Sequence, residues 1–149
     1  MEAHQSPERI REVAKKLDDA LETRNADQIL PFFADDCEIE LLGIELTGKD
    51  GVRRWLEWQF KHIAEVKLEP IIIIVDGNIF FEEFIVNARL HDGTKVESRQ
   101  AEVLIYEDYR VKSLRLYFDR LDFAGSIARG FVSKAIVRRL IKTSLAGLV

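Results

Sequence analysis

Four strand-like segments follow one another in the second half of the chain with almost nothing between them. They are VKLEPIIIIVD, NIFFEEFIVNARL, KVESRQAEVLIYE and RVKSLRLYF, and the stretches DGN, HDGT and EDY between them have the length and composition of hairpin turns. Strands joined by such short turns pair antiparallel with their sequence neighbours. We therefore predict an antiparallel meander in this half of the chain.

The first half follows a helical period instead. Ser6, Pro7 and Glu8 have the order of an N-cap, a first-turn proline and an early acid, and apolar residues then recur at helical spacing as far as Leu21. Further helices are predicted in NADQILPFFADD, TGKDGVRRWLEWQF and FAGSIARGFVSKAIVRRLIKTSL, and one strand in CEIELLGI. Helices around one strand, followed by a meander, predict an α+β domain whose curved sheet encloses a conical cavity.

The composition excludes several classes of site. Cys37 is the only cysteine, so no internal disulfide and no cysteine-based zinc site can form. The histidines His4, His62 and His91 are scattered without metal-ligand spacing, and Gly-rich phosphate loops are missing, so neither a metal nor a cofactor is expected. The charged N-terminus and the lack of a run of about 18 apolar residues predict a cytoplasmic protein without a membrane span.

Charge is distributed unevenly along the chain. Residues 125–149 carry five Lys and Arg and no acid, whereas the whole chain has a net charge of −4, so the remainder carries −9. An acidic body argues against nucleic-acid binding. We expect residues 1–124 to form the main domain and 125–149 a basic amphipathic helix packed on it. That helix could serve as a lid, a dimer contact or, less favoured, a contact to an anionic membrane surface.

Three stretches resemble the nuclear transport factor 2-like superfamily, in its SnoaL-like and ketosteroid-isomerase-like branch. They are NADQILPFFADDCEIE (25–40), LTGKDGVRRW (46–55) and VKSLRLYFD (111–119), and the order of elements matches from about residue 7 to residue 124. The resemblance implies a cone-shaped, cystatin-like α+β roll with an apolar pocket, and a homodimer through the outer face of the sheet. Because this fold hosts isomerases, dehydratases, epoxide hydrolases, polyketide cyclases and binding modules, it does not select a function.

The catalytic positions of two related enzyme classes are not retained. The ending YFDRLDF resembles limonene-epoxide hydrolase, but apolar residues stand where that class has its catalytic and water-positioning groups. These residues are Leu116, Phe84, Val86, Ile39 and Leu41. By resemblance to ketosteroid isomerase, the base position falls on Leu41, one oxyanion position on Leu17 and the other on Glu102. Neither of these two reactions is therefore expected.

Glu102 is the principal candidate for a site residue. Strand alternation and the resemblance place it on the concave face, where burial would raise its pKa and keep the carboxyl group neutral. A neutral carboxyl group can donate a hydrogen bond to a ligand or act as a general acid. Its alternative roles are a salt bridge to an arginine such as Arg115, or a side chain that extends its carboxylate to water. A three-residue turn within HDGT would place Glu102 opposite Phe84, which we favour, and a two-residue turn opposite Glu83.

Three other polar residues are weighed beside it. Glu82 is the second catalytic candidate, as a partner acid or base, although a charge at the pocket rim is the plainer role. His62 ends the third predicted helix, where the helix dipole favours a cation, and this role is preferred to that of a catalytic base. Asp119 leaves the last strand on the face opposite Phe118, so we expect it to cap the turn that follows.

The expected ligand contacts are apolar or aromatic residues at alternate strand positions or on helix faces. They are Leu17, Ile39, Leu41, Trp55, Trp58, Phe84, Val86, Leu104, Tyr106, Leu114, Leu116 and Phe118. For Trp55 a core position is favoured over ligand contact, whereas for Trp58 the two roles are evenly balanced. Tyr106 could offer its hydroxyl group to the cavity or keep it in water.

The sequence favours a small-molecule-binding domain whose mainly apolar pocket takes a lipid-, terpenoid- or polyketide-like ligand, anchored by a buried carboxyl group. One alternative is an acid–base enzyme, such as an isomerase, polyketide cyclase or dehydratase, that uses Glu102 with Glu82 or His62. Another is a structural dimerisation module with a filled cavity. An enzyme needs two polar groups that converge on one point, whereas a binding module needs only volume.

Overall fold

The computed structural model describes residues 5–148, so His4 lies outside the described part of the chain. The helices are α1 (Pro7–Glu22), α2 (Ala26–Ile29), α3 (Gly48–His62), α4 (Leu121–Ile127) and α5 (Phe131–Ser144), with one 3-10 turn at Leu30–Phe32. The strands are β1 (Phe33–Leu41), β2 (Ile44–Thr47), β3 (Ile63–Asp76), β4 (Ile79–Leu90), β5 (Lys95–Glu107) and β6 (Arg110–Tyr117). This order confirms the predicted α+β class. None of the described helices is long and apolar enough to cross a bilayer.

The strands form one open sheet in the order β2-β1-β6-β5-β4-β3. β3 to β6 pair antiparallel with their sequence neighbours, as the hairpin turns predict. One pair departs from the predicted antiparallel pattern, because β1 lies parallel to β6. The sheet is therefore mixed, and the first strand of the chain is inserted beside the last.

The sheet curves around the helices at irregular positions in the ladder. The register shifts between Pro70 and Ile72 on β3 and between Ile105 and Tyr106 on β5, and such bulges bend a strand and increase its twist. The buried faces of α1 and α3 pack into the same hydrophobic cluster as the concave face of the sheet. The space between the helices and the sheet is where a site can form.

The helices begin where the sequence predicts. The Ser6 hydroxyl oxygen accepts a hydrogen bond from the Arg9 backbone N–H at 3.3 Å, and Pro7 occupies the first turn of α1. Ile10, Ala14 and Leu17 on one face of this helix are buried. α3 buries Val52, Trp55 and Leu56, whereas Gln59 and Phe60, the other two residues of its predicted stripe, are half-buried.

The predicted single strand in CEIELLGI is wrong, because the chain turns back on itself there. β1 and β2 form an antiparallel hairpin, in which Leu41 pairs with Ile44. The two residues between them, Leu42 and Gly43, have φ of +53° and +76°. Positive φ at both positions gives the primed turn that tight hairpins favour. A leucine in this conformation is uncommon, so the sequence pattern did not reveal the turn.

The C-terminal segment is two helices rather than the predicted one. α4 ends at Ile127 and α5 begins at Phe131, with Gly130 between them at φ +81°. This conformation is outside the helical region and suits glycine, so the helix is interrupted there.

Pairing between β4 and β5 differs from the favoured register. The turn has three residues, as preferred, but they are His91, Asp92 and Gly93, and the Leu90 N–H donates to the Thr94 carbonyl at 2.8 Å. A turn one residue later would have been needed to place Glu102 opposite Phe84. Shifting the turn by one residue moves the cross-strand partner by two, so Glu102 lies opposite Glu82.

Candidate functional site

A cavity of about 250 Å³ lies between the concave face of the sheet and the helices α1, α3 and α4. Its wall is mainly apolar and includes Trp55 from α3, Phe84 and Val86 from β4, and Phe123 from α4. Trp58 also lines it and is 44% exposed.

Three carboxyl groups meet at one side of this cavity. Oxygen atoms of Asp18, Glu82 and Glu102 lie within 4.8 Å of one another. Glu82 and Glu102 are buried cross-strand partners, and Asp18 reaches them from the half-buried side of α1. Within residues 5–148, no Lys or Arg side chain forms a salt bridge with any of the three. The cluster therefore lacks the counter-charges that buried carboxylates normally need.

Burial raises the pKa of all three carboxyl groups. It raises the pKa of Asp18 to about 8, with a further contribution from the negative charge of Glu82. It also raises the pKa of Glu82 to about 7, although a hydrogen bond with Glu102 opposes the rise. For Glu102, burial comes first and the charges of Asp18 and Glu82 follow, so its pKa lies well above the usual carboxyl range. At neutral pH the cluster is therefore mainly protonated.

The three carboxyl groups do not share one role. Asp18 and Glu102 line the cavity, whereas Glu82 is behind Glu102 and does not. The hydrogen bond between the two glutamates raises the pKa of Glu102 and lowers that of Glu82. The protonated Glu102 is therefore the hydrogen-bond donor and Glu82 the acceptor. One oxygen of Glu82, Oε1, is buried without a hydrogen-bond partner. Glu82 is therefore placed to hold Glu102 rather than to touch a ligand.

Tyr106 is also buried and does not line the cavity. Burial raises the pKa of Tyr106, and the charges of Glu102, Asp18 and Glu82 raise it further, so the phenol stays neutral. Its hydroxyl group has no hydrogen-bond partner within the described residues.

The structure divides the expected ligand contacts into two groups. Those that line the cavity are Trp55, Trp58, Phe84, Val86, Leu116 and Phe118. Those that are buried in the core but do not line it are Leu17, Ile39, Leu41, Leu104, Tyr106 and Leu114. For both groups, contact with a ligand stays a prediction. His62, the alternative base, also lines the cavity from the end of α3.

Sequence reasoning missed several polar residues of the wall, which are Asp18, Arg24, Gln59, Gln100 and Arg120. Asp18 stands four residues after Ala14 and three before Leu21, so helical spacing alone would have placed it beside the buried face. Gln100 is two residues before Glu102, so the strand period would have placed it on the concave face. Neither Asp18 nor Gln100 was named as a candidate site residue.

α4 covers one side of the cavity and is held by polar contacts. The Ser98 hydroxyl group donates to Asp122 Oδ2 at 2.6 Å, and Gln100 Nε2 donates to Ser98 Oγ at 3.1 Å. The Asp119 carboxylate accepts from the Leu121 N–H at 2.8 Å, which confirms its predicted capping role. α4 thus forms a lid whose underside is Phe123 and Ile127.

This arrangement suits proton transfer better than metal binding. The three carboxyl groups are close enough to hold a metal ion, but their raised pKa values mean that a cation would have to displace protons from a poorly solvated site. A protonated and an ionisable carboxyl group side by side can instead donate and accept a proton on one bound molecule.

The comparisons with known proteins agree with the fold. A family model described as the SnoaL-like domain matches residues 14–114. No curated protein matches the chain. A solved hypothetical protein with a ketosteroid isomerase-like fold, from Catenulispora acidiphila DSM 44928 in complex with trimethylamine, is similar at 16% identity and a TM-score of 0.69, over 76% of this chain and 89% of that chain.

Two other similar structures carry enzyme names. An LEH-like epoxide hydrolase from M. tuberculosis matches at 19% identity and a TM-score of 0.69, over 87% of this chain and 97% of that one. The second is SalBIII, an epoxide hydrolase/cyclase-like enzyme with a role in pyran ring formation in the polyether salinomycin. It matches at 17% identity and a TM-score of 0.68, over 77% of this chain and 94% of that one.

At these identities the similar structures show the fold alone, which is that of nuclear transport factor 2-like proteins. The family model, in contrast, covers more than half of the chain and confirms the resemblance in the sequence. The chain belongs to the SnoaL-like domain family.

Proposed function

We propose that this protein is an acid–base enzyme that acts on a small, largely apolar molecule, with Asp18 and Glu102 as its catalytic pair. The observation that carries the proposal is the convergence of these two carboxyl groups, with oxygens within 4.8 Å, on one apolar cavity. A binding module needs volume but not a second ionisable group beside the first. The partner of Glu102 is thus Asp18 rather than Glu82 or His62.

The two carboxyl groups suit different halves of a proton transfer. Glu102, whose pKa lies well above the usual carboxyl range, is the proton donor to a ligand oxygen. Asp18, with a pKa of about 8, is ionised in part near neutrality and is the proton acceptor. Glu82 is a positioning residue that does not reach the cavity. It accepts the hydrogen bond of Glu102 in the free protein, and the ligand oxygen would take its place as acceptor when a substrate binds.

The cavity sets the size and polarity of the substrate. Its volume of about 250 Å³ lies just below the range of about 300–1,000 Å³ that is common for small-molecule pockets. A substrate that fits would place one oxygen function at the carboxyl pair and its apolar part against Trp55, Phe84 and Phe123. The open volume argues against a structural module with a filled cavity.

Opening of an epoxide is a reaction that suits this pair, and it would use Asp18 and Glu102 rather than the residues of limonene-epoxide hydrolase, whose positions are apolar here. Glu102 would give its proton to the epoxide oxygen as the C–O bond breaks, and a hydroxyl group of the substrate, or water, would attack the carbon. Asp18 would take the proton that the attacking oxygen releases, so atoms and charge balance. The names of the M. tuberculosis and SalBIII structures support epoxides as the first compounds to test.

The test is turnover of a panel of epoxides, with and without an internal hydroxyl group, followed by product analysis. Asp18→Asn and Glu102→Gln should each lower turnover by about 100-fold or more, the usual contribution of a general acid or base. Asp19→Asn, the next residue on α1, and Glu97→Gln, on the exposed face of β5, are the matched controls and should keep wild-type rates.

Retention of a ligand without turnover is the second candidate function, and the mainly apolar wall favours it. Native mass spectrometry of the purified protein separates the two. A compound that stays bound and unchanged would support the binding module, and wild-type turnover in Glu102→Gln would contradict the enzyme.

A further inference from the structure

We infer that α5 docks the protein on an anionic lipid bilayer. This helix presents apolar side chains to solvent instead of packing them on the domain. Phe131 is 81% exposed and Ile136 55% exposed, and Val132 and Leu140 are exposed as well. Val132, Ile136 and Leu140 follow one another at four-residue spacing, so they form a continuous apolar row along one side of the helix.

The cations of the C-terminal segment are not paired with acids of the main domain among the described residues. Within the described residues, none of Arg129, Lys134, Arg138, Arg139 and Lys142 forms a salt bridge. α5 has no buried residue. The half-buried Val137 and Ile141 mark its inner side, which leaves the apolar row exposed to solvent.

Charge complementarity favours an anionic bilayer as the occupant of this surface. The segment 125–149 carries five cations and no acid. Helices that bind at the lipid–water interface combine an apolar face with Lys and Arg beside it, because the long basic side chains reach the headgroups while the apolar face enters the acyl boundary. Leu145 and Leu148, beyond the helix, extend the exposed apolar surface.

The position of α5 relates the docking to the cavity. The lid helix α4 ends at Ile127, which lines the cavity and is itself exposed, and α5 starts only four residues later. A bilayer that held α5 would therefore lie beside the cavity mouth and could supply a membrane-dissolved apolar molecule. This supply rests on the proposed function, whereas the docking itself does not.

Vesicle flotation of the full chain tests the docking. We expect binding to vesicles of phosphatidylcholine mixed with phosphatidylglycerol, little binding to phosphatidylcholine alone, and weaker binding as salt rises. Ile136→Asp with Leu140→Asp should weaken binding by about tenfold or more, as should Arg138→Glu with Arg139→Glu. Because these side chains are exposed and unpaired among the described residues, thermal unfolding should be unchanged.

Two controls match these variants. Ile74→Asp alters an isoleucine of equal exposure, 55%, on β3. Lys16→Glu reverses an exposed cation on α1. Both should bind anionic vesicles as the wild type does, and so should Asp18→Asn, which disables the proposed chemistry alone.

Three results would overturn the docking. Equal binding to neutral and anionic vesicles would exclude the role of the cations, and wild-type binding by the α5 variants would exclude the helix. The third result combines two observations: the wild type does not bind vesicles, and light scattering shows a dimer that Ile136→Asp converts to a monomer. A second copy of the chain would then be the occupant of this surface.

Discussion

At the scale of single residues, the site is defined by carboxyl groups that form no salt bridge within residues 5–148. Three acids whose oxygens lie within 4.8 Å of one another cannot all be ionised in a poorly solvated place. Their charge is therefore neutralised by protons instead of by Lys or Arg side chains. The folded protein therefore depends on keeping these protons.

This dependence predicts how stability changes with pH. The pKa values of Asp18 and Glu82 rise from 3.8 and 4.5 in their ordinary state to about 8 and 7 in the folded protein. Between about pH 4 and pH 8 the folded state binds more protons than the unfolded chain, so the free energy of unfolding falls as pH rises. Urea unfolding at several pH values across this window should show the decline.

Glu102→Gln should reduce that decline, because a glutamine stays neutral at every pH. We expect the variant to exceed the wild type in free energy of unfolding at pH 8 by roughly 1–3 kcal/mol, and to lose this advantage near pH 4. Glu97→Gln, on the opposite face of the same strand, should follow the wild-type curve. A parallel pH dependence of Glu102→Gln and wild type would contradict a raised pKa at this residue.

Asp18 should control the pH dependence of turnover. If it acts as the proton acceptor, turnover on an epoxide substrate should rise as pH increases through about 8, where its carboxyl group ionises. Asp18→Asn should lack this rise along with most of the activity. A wild-type rate that already reaches its plateau at pH 5 would contradict the role.

Residue-scale prediction from sequence succeeded where one periodicity decided the outcome. Strand alternation placed Glu102 on the buried face, and a local capping argument correctly assigned Asp119. It failed where two elements had to be aligned. The partner of Glu102 depends on where a turn begins, and Asp18 joins the cluster only through the docking of α1 on the sheet.

At the scale of elements, the lid helix α4 depends on a short polar chain. Asp122, Ser98 and Gln100 are linked by hydrogen bonds of 2.6 and 3.1 Å, and Phe118 and Phe123 pack edge to face with centroids 6.3 Å apart. α4 contributes no fully buried residue, so these contacts carry its attachment.

Ser98→Ala should loosen this lid. The change leaves Asp122 and the Gln100 amide without their partner, which costs about 1–3 kcal/mol when the group is buried. Hydrogen exchange should accelerate in residues 121–127 while α1 stays protected. Ser113→Ala, at a half-buried position on the neighbouring β6, is the control and should leave the lid unchanged. Unaltered exchange in Ser98→Ala would show that the aromatic contact alone holds α4.

Elements with strong periodicity were predictable, and short ones were not. The long strands of the meander follow from repeated alternation and turn residues. β2 has only four residues, and its turn uses Leu42 in a left-handed conformation, which no common turn signal announces. The break between α4 and α5 depends on Gly130, whose effect on a helix varies with its surroundings.

At the scale of the whole molecule, the fold and the C-terminal helix are separable. The hydrophobic cluster extends from α1 to β6, and Phe123 of α4 packs against it, whereas no residue of α5 takes part. The family model likewise ends at residue 114.

Truncation after Arg129 should therefore leave the fold intact. We expect the melting temperature to change by less than about 4 °C, which is roughly 1 kcal/mol for a domain of this size. A second truncation after Phe118 removes α4 as well. It should lower the melting temperature further, because the cavity wall is then opened. A large loss of stability in the shorter deletion would mean that α5 belongs to the core.

The α+β class and the curved sheet were predictable from the sequence because the order of elements leaves few ways to bury their apolar faces. The mixed parallel and antiparallel character of the sheet was not predictable, because the local sequence of β1 does not indicate that its neighbour is β6. A homodimer and a cytoplasmic location stay predictions.

The parallel pairing of β1 with β6 bears on how the chain reaches its final state. β1 ends at Leu41 and β6 begins at Arg110, so their contact closes a loop of about seventy residues. During synthesis the β1–β2 hairpin emerges early and has no strand to join until the meander is nearly finished. Long-range pairings of this kind slow folding, and the hairpin edge is exposed to other chains in the meantime. Assembly should thus proceed from the meander, with the N-terminal hairpin added last.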